Sequence, residues 1–120
     1  MSLRVRMRQA LPEAMRARDK VTVRVLRSAL AALDNAEAVP VAESELRGSA
    51  LEHSPIGAGA TEAVRCELSE GRVAEIVRAE AEERLDAAAE LTAAVHADRA
   101  TELRAEAAVL FRFLDSAGTV

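Results

Sequence analysis

The sequence predicts an all-α protein, a small bundle of two helical hairpins joined by a long irregular loop. Three observations predict it. The composition is dominated by helix formers, with 27 Ala, only two Phe and neither Trp nor Tyr. Apolar residues recur at helical spacing in four stretches. Proline and glycine break that spacing over one long interval in the middle. With 120 residues, the chain has room for one domain and a modest core. Ala-rich helices approach closely but bury little area each, so that core should be thin.

The elements follow in order. Leu3, Met7, Ala10, Leu11, Ala14 and Met15 lie on one face of a first helix. Pro12 falls inside it, which predicts either a kink or a second helix starting there. The uninterrupted apolar spacing favours the kink. Asp19 is placed to cap a second helix, with Val23, Leu26, Ala29, Leu30, Leu33 and Ala36 inward and Lys20, Arg24, Arg27 and Asp34 outward. So short a connection predicts antiparallel neighbours, a basic hairpin over 1–37. From 38 to 68 Pro40, Gly48, Pro55, Gly57 and Gly59 make an irregular loop, with a helical turn or two over Ser44–Leu51.

An acidic hairpin is expected over 69–115. Ser69 caps a third helix carrying Val73, Ile76, Val77, Ala81, Ala88, Leu91 and Val95, with Gly71 weakening its start. Its outer face offers the pairs Arg78 with Glu82 and Glu80 with Arg84. His96 and Ala97 are expected to turn the chain, and Asp98 to cap a fourth helix with Leu103, Ala107, Leu110 and Leu114 inward. Residues 116–120 are expected as a tail.

Charge is distributed unevenly. Residues 1–30 hold eight basic groups against two acidic ones, and the remainder holds eight against eighteen. This predicts either a basic face for an anionic partner or basic helices matched to acidic ones within the fold. Arg16, Arg18, Lys20, Arg24 and Arg27 form the candidate nucleic-acid-binding stripe, the last three at i, i+4 and i+7. No aromatic residue is interleaved for base stacking. The alternative is that these cations pair with acids such as Glu75, Glu82 or Glu90 on the later helices.

Other chemistry finds little support. His53, His96 and Cys66 lack metal-ligand spacing, so no metal and no cofactor is expected. Cys66 has Arg65 beside it, but Glu62, Glu67 and Glu70 oppose a thiolate there. The Ser54–Ala60 segment is glycine-rich but lacks the Gly-Lys-Ser/Thr ending and the feeding strand of a phosphate loop. Glu82 and Glu83 are adjacent and so diverge on a helix. No catalytic residue is assigned. A single Cys allows no internal disulfide, and Arg4, Arg6 and Arg8 interrupt any signal-peptide core. With no membrane-spanning run, a cytoplasmic protein is expected.

Met15-Arg-Ala-Arg-Asp-Lys20, Leu26-Arg27 and Asn35-Ala-Glu37 together resemble the opening of the YqeY-like proteins. That family shares a domain with the tail of the B subunit of glutamine-dependent tRNA amidotransferases. A second similar stretch comprises Arg78-Ala-Glu80, Glu83-Arg84, Asp98, Glu106 and Val109-Leu110 leading to Phe113-Leu114. The likeness covers about residues 3–114 without the loop, which resembles an insertion found in part of the family. The family usually has Lys in place of Asp34, a Gly-Arg turn in place of Val95-His96, and Pro in place of Asp115, with a second helical subdomain after it.

The resemblance implies an all-helical fold linked to amidotransferases, whose related tail helps hold tRNA. Taken with the basic stripe and the lack of a catalytic constellation, it leads to the expectation of a non-catalytic helical accessory protein, binding tRNA through that stripe near tRNA-dependent amidation. Amide transfer itself belongs to other parts of those enzymes. One alternative is a protein–protein module docking on an amidotransferase or other complex. Another, implied by the family name alone, is glutamine-dependent carbon–nitrogen ligation by this chain, for which no nucleophile presents itself.

Overall fold

Helix α1 spans Leu3–Arg16, α2 covers residues 20–38, α3 spans Glu70–Glu90 and α4 spans Ala97–Gly118, with a 3-10 turn at Ala94–His96 before α4. The computed structural model describes residues 1–38 and 67–118, and among these the protein is all-α with no strand. The expected helical turns at Ser44–Leu51, the Ser54–Ala60 segment, His53 and Cys66 lie outside the described residues.

α1 is capped by Ser2, whose Oγ accepts the Val5 N–H at 3.1 Å. Leu3, Met7 and Ala14 are buried, with Ala10 and Leu11 packed at the edge of the core. Met15, expected inward, is instead 50% exposed. At 3.6 residues per turn it lies about 120° around the helix from Leu3, at the margin of the buried face. Pro12 sits inside the helix, so no separate helix starts there. Both Arg8 and Pro12 are exposed, so solvent can serve the carbonyl left without its donor.

The α1–α2 connection is a hydrogen-bonded C-cap followed at once by an N-cap. Asp19 N–H donates to the Ala14 carbonyl at 2.9 Å and Arg18 N–H to the Met15 carbonyl at 3.1 Å. This is the Schellman pattern, in which a left-handed residue closes the helix. Arg18 fills that position with φ 59, where glycine is usual. Asp19 then caps α2, accepting from the Thr22 N–H at 3.1 Å and the Thr22 hydroxyl at 2.7 Å.

On α2, Val25, Leu26, Ala29 and Leu33 are buried. Val25, left off the expected inner face, is fully buried, whereas Val23 is only half-buried. Val25 and Leu30 lie on opposite flanks of the Leu26–Leu33 stripe, and both pack into the core. α2 is therefore covered over a wider arc than a one-sided stripe. Arg4 of α1 pairs with Asp34 and Glu37 of α2, the latter at 2.9 Å. The Glu37 hydrogen bond is the main reason that the Arg4 pKa is raised, outweighing partial burial.

Ser69 caps α3 by accepting the Arg72 N–H at 3.0 Å. Val73, Val77, Ala81 and Ala88 are buried. The helix ends at Glu90, not at Val95 as expected. Leu91 leaves the helical region with ψ 76, and Val95, in the 3-10 turn, is 83% exposed. That turn runs directly into α4, so Ala97 is helical and Asp98 lies within the first turn, not at its cap. The Asp98 carboxylate still sits near the positive end of the helix dipole. α4 continues past 115 to Gly118, shortening the expected tail.

One core unites residues of all four helices, among them Met7, Leu26, Leu33, Val77 and Leu110. A smaller cluster of Ala88, Ala100 and Leu103 closes the α3–α4 end. Each large aliphatic side chain so buried contributes about 1.5–3 kcal/mol. Among α1, α3 and α4, the α3–α4 contact is the most extensive. Arg6 ties α1 to the last turns of α4, donating to the Phe113 carbonyl at 3.1 Å while stacked 6.0 Å above its ring.

Candidate functional site

The α1–α2 turn and the first two turns of α2 border an open groove of about 610 Å³. Met15, Arg18, Lys20, Val23, Arg24 and Arg27 line it. The local sequence explains why. The left-handed Arg18 ends α1 and reverses the chain, and Lys20, Arg24 and Arg27 then follow at helical spacing on α2. Four of the five residues in the expected basic stripe thus meet at one concavity. The fifth, Arg16, is exposed in the last turn of α1, outside the lining.

The cations of this groove differ in their partners. Among the described residues, Arg16, Arg18, Lys20 and Arg27 make no ion pair with a carboxylate. Arg27 Nη2 instead donates to Met15 Sδ at 3.9 Å, holding the thioether at the groove. Arg24 does have acidic partners. Its Nη1 lies 3.2 Å from Glu106 Oε2 and 3.5 Å from Glu102 Oε1, both on α4. The internal pairing raised as an alternative therefore holds for Arg24, although not with Glu75, Glu82 or Glu90.

Glu106 is only 2% exposed and is the centre of a buried network. Arg84 Nε donates to Glu106 Oε1 at 2.9 Å. Arg84 Nη1 donates to the Glu80 carbonyl at 2.9 Å and to Glu80 Oε1 at 3.1 Å, and Nη2 donates to Ser28 Oγ at 2.9 Å. Arg99 pairs with Glu102 at 2.8 Å and approaches Glu106 at 3.9 Å. Burial alone would lower the Arg84 pKa, but its hydrogen bonds to Glu106 and Glu80 outweigh this and raise it. Arg24, Arg84 and Arg99 balance Glu80, Glu102 and Glu106, so the network as a whole carries no net formal charge.

A second cavity of about 230 Å³ adjoins this network, with Ser28, Glu80, Arg84, Arg99 and Glu106 in its wall. The Arg24–Glu106 pair connects the basic groove to this smaller cavity. The expected Glu80–Arg84 pair is present, whereas among the described residues Arg78 and Glu82 do not pair with each other.

The charge asymmetry and the stripe are legible in the sequence, whereas the role of Glu106 becomes evident only in the fold. The available signal was its position. Glu106 occupies the apolar stripe of α4 between Leu103 and Val109 and next to Ala107, where a carboxylate must find partners. Among the described residues, no group of three or more His, Cys, Asp or Glu is placed to hold a metal ion. His96 is exposed in the 3-10 turn, and Glu82 and Glu83 are exposed on α3. Among the described residues, no helix is long and apolar enough to cross a membrane. No family model, no curated protein and no solved structure matches this chain.

Proposed function

We propose that this protein is a non-catalytic helical accessory protein of the YqeY-like type. In this reading it binds tRNA by seating backbone phosphates in the groove between the end of α1 and the start of α2, near tRNA-dependent amidation in the cytoplasm. One observation carries the reading: Arg18, Lys20 and Arg27 converge on one open groove with no acidic partner among the described residues. Arg16 adds a fourth cation beside it. No aromatic residue lines the groove, so binding is electrostatic and tolerant of sequence. The same reading takes the bundle as two hairpins, α1 with α2 and α3 with α4. The Arg4 pairs to Asp34 and Glu37 and the extensive α3–α4 packing support that arrangement.

The test is a filter-binding titration against total tRNA at rising salt. Three or four phosphate contacts give a slope of log K against log salt of about −3. Reversing Arg18, Lys20 and Arg27 to Glu together removes that binding. Absence of affinity at low salt, or affinity unchanged by the reversal, overturns the proposal.

A second reading, docking of a protein partner on an amidotransferase or other complex, draws on the groove's apolar components. Met15 is half-exposed there and Val23 is half-buried beside it. Ribonuclease-resistant capture of an amidotransferase by the wild-type chain, lost in Met15→Glu, supports that reading. Glutaminase or transamidation activity in the isolated protein would instead support the ligase alternative.

A further inference from the structure

Arg24 belongs to two structures at once. Its side chain lines the groove and is 49% exposed, yet its Nη1 is engaged by Glu106 and Glu102 of α4. The other lining cations have no such partner among the described residues. Glu106 is held in place by Arg84, which also reaches Ser28 of α2 and Glu80 of α3. A buried carboxylate fixed in this way presents a stationary negative charge to the back of the groove.

We propose that Glu106 and Glu102 together set the cation count of the groove by holding Arg24 in reserve. The resting groove offers Arg18, Lys20 and Arg27 to an anionic ligand, while Arg24 is neutralised from behind. A ligand of high phosphate density competes with the two carboxylates for Arg24 and recruits it. A ligand of low charge density leaves it with α4. Glu106 and Glu102 are thus positioning residues that determine how strongly charged an anion the groove favours. The inference rests on the groove being an anion site and goes further by assigning its charge selectivity to α4.

The geometry gives each carboxylate a separate part. Glu102 is half-exposed and shared with Arg99, so its loss leaves the core untouched. Glu106 is buried and shared with Arg84, so its amide counterpart still accepts from Arg84 Nε but no longer balances the Arg24 charge. Each substitution removes one of the two carboxylates that engage Arg24 and so makes its guanidinium more available as a fourth cation. Linkage requires the reverse as well: a ligand that draws on Arg24 weakens its tie to α4 by the same free energy.

The experiment uses the full chain, with total tRNA and inorganic phosphate as the two probes. Affinity for tRNA is measured at several salt concentrations for the wild type, Glu102→Gln, Glu106→Gln, and each of these combined with Arg24→Gln. Glu75→Gln, on an exposed residue of α3 paired with Arg72, controls for the change in overall charge. Thermal melts establish that each variant is folded, and Glu102→Gln carries the test if Glu106→Gln is not.

The expected result is tRNA binding tightened about fivefold or more by either single variant. The salt slope becomes steeper by about 0.7–0.9. Both gains vanish with Arg24→Gln, Glu75→Gln reproduces neither, and inorganic phosphate gains less than tRNA. Wild-type binding that Glu102→Gln leaves unchanged overturns the inference while the groove reading stands. A gain that persists without Arg24, or that Glu75→Gln matches, has the same consequence. If neither the wild type nor the single variants bind tRNA at low salt, the groove reading itself fails and the inference with it.

Discussion

Arg18 shows how one residue can be suited to two opposing demands. Its φ of 59 belongs to the left-handed region, where a Cβ costs about 1–2 kcal/mol. Glycine would meet the conformational demand of the Schellman closure but would remove a cation from the groove. Arg18→Gly should therefore raise the melting temperature by about 2–4 °C, after allowing for the added freedom of the unfolded chain. On the proposed function, the same substitution should weaken tRNA binding in the filter assay. The backbone strain was not legible in the sequence, because Met15-Arg-Ala-Arg-Asp-Lys20 contains no glycine to mark the turn. The Asp19 cap was legible, since a carboxylate at that point has one evident use.

At the scale of elements, side-chain caps mark where α1, α2 and α3 start, whereas α4 follows directly from the 3-10 turn. Ser2, Asp19 and Ser69 each accept a first-turn N–H. The hydrogen bonds from Thr22 hold the Asp19 carboxyl below its ordinary pKa of 3.8. A carboxylate lowered on folding stabilises the folded state fully above that ordinary value. Its contribution is lost as pH falls through the lower folded value. Acid titrations followed by circular dichroism should show this loss below about pH 4 in the wild type. Asp19→Asn keeps a capping oxygen but has no proton to take up, so this component of the pH dependence should disappear.

The end of α3 was less legible than its start. Ala, Leu and Val continue past Glu90 at helical spacing, and nothing local forbids another turn. The chain instead leaves the helix at Leu91, which packs into the small Ala88–Leu103 cluster at the α3–α4 end. Tertiary packing decided that boundary.

At the scale of the molecule, the apolar core determines that the helices collapse, and the ion network bears on how they align. Arg84 links Ser28 of α2, Glu80 of α3 and Glu106 of α4. Arg84→Met should cost about 3 kcal/mol in urea unfolding, because the buried Glu106 loses its closest cation and retains chiefly the half-exposed Arg24. Combining it with Glu106→Leu should recover much of that loss, since the pair is then replaced by apolar volume. A double-mutant cycle over the two sites should accordingly show strong coupling. Additive losses would show that the network contributes little beyond packing.

The sequence alone determined the fold class, the Asp19 and Ser69 caps, and the gathering of basic residues in the first thirty positions. These depend on periodicity, side-chain type and charge, which are local properties of a chain. Only the tertiary structure decided that Arg18, Lys20, Arg24 and Arg27 line one groove and that Arg24 is held there by α4. Glu106 lies 82 residues from Arg24, and the pairing forms only because α2 and α4 are packed into one core. A sequence shows which charges exist; the distances that neutralise some and leave others open arise only when the helices pack.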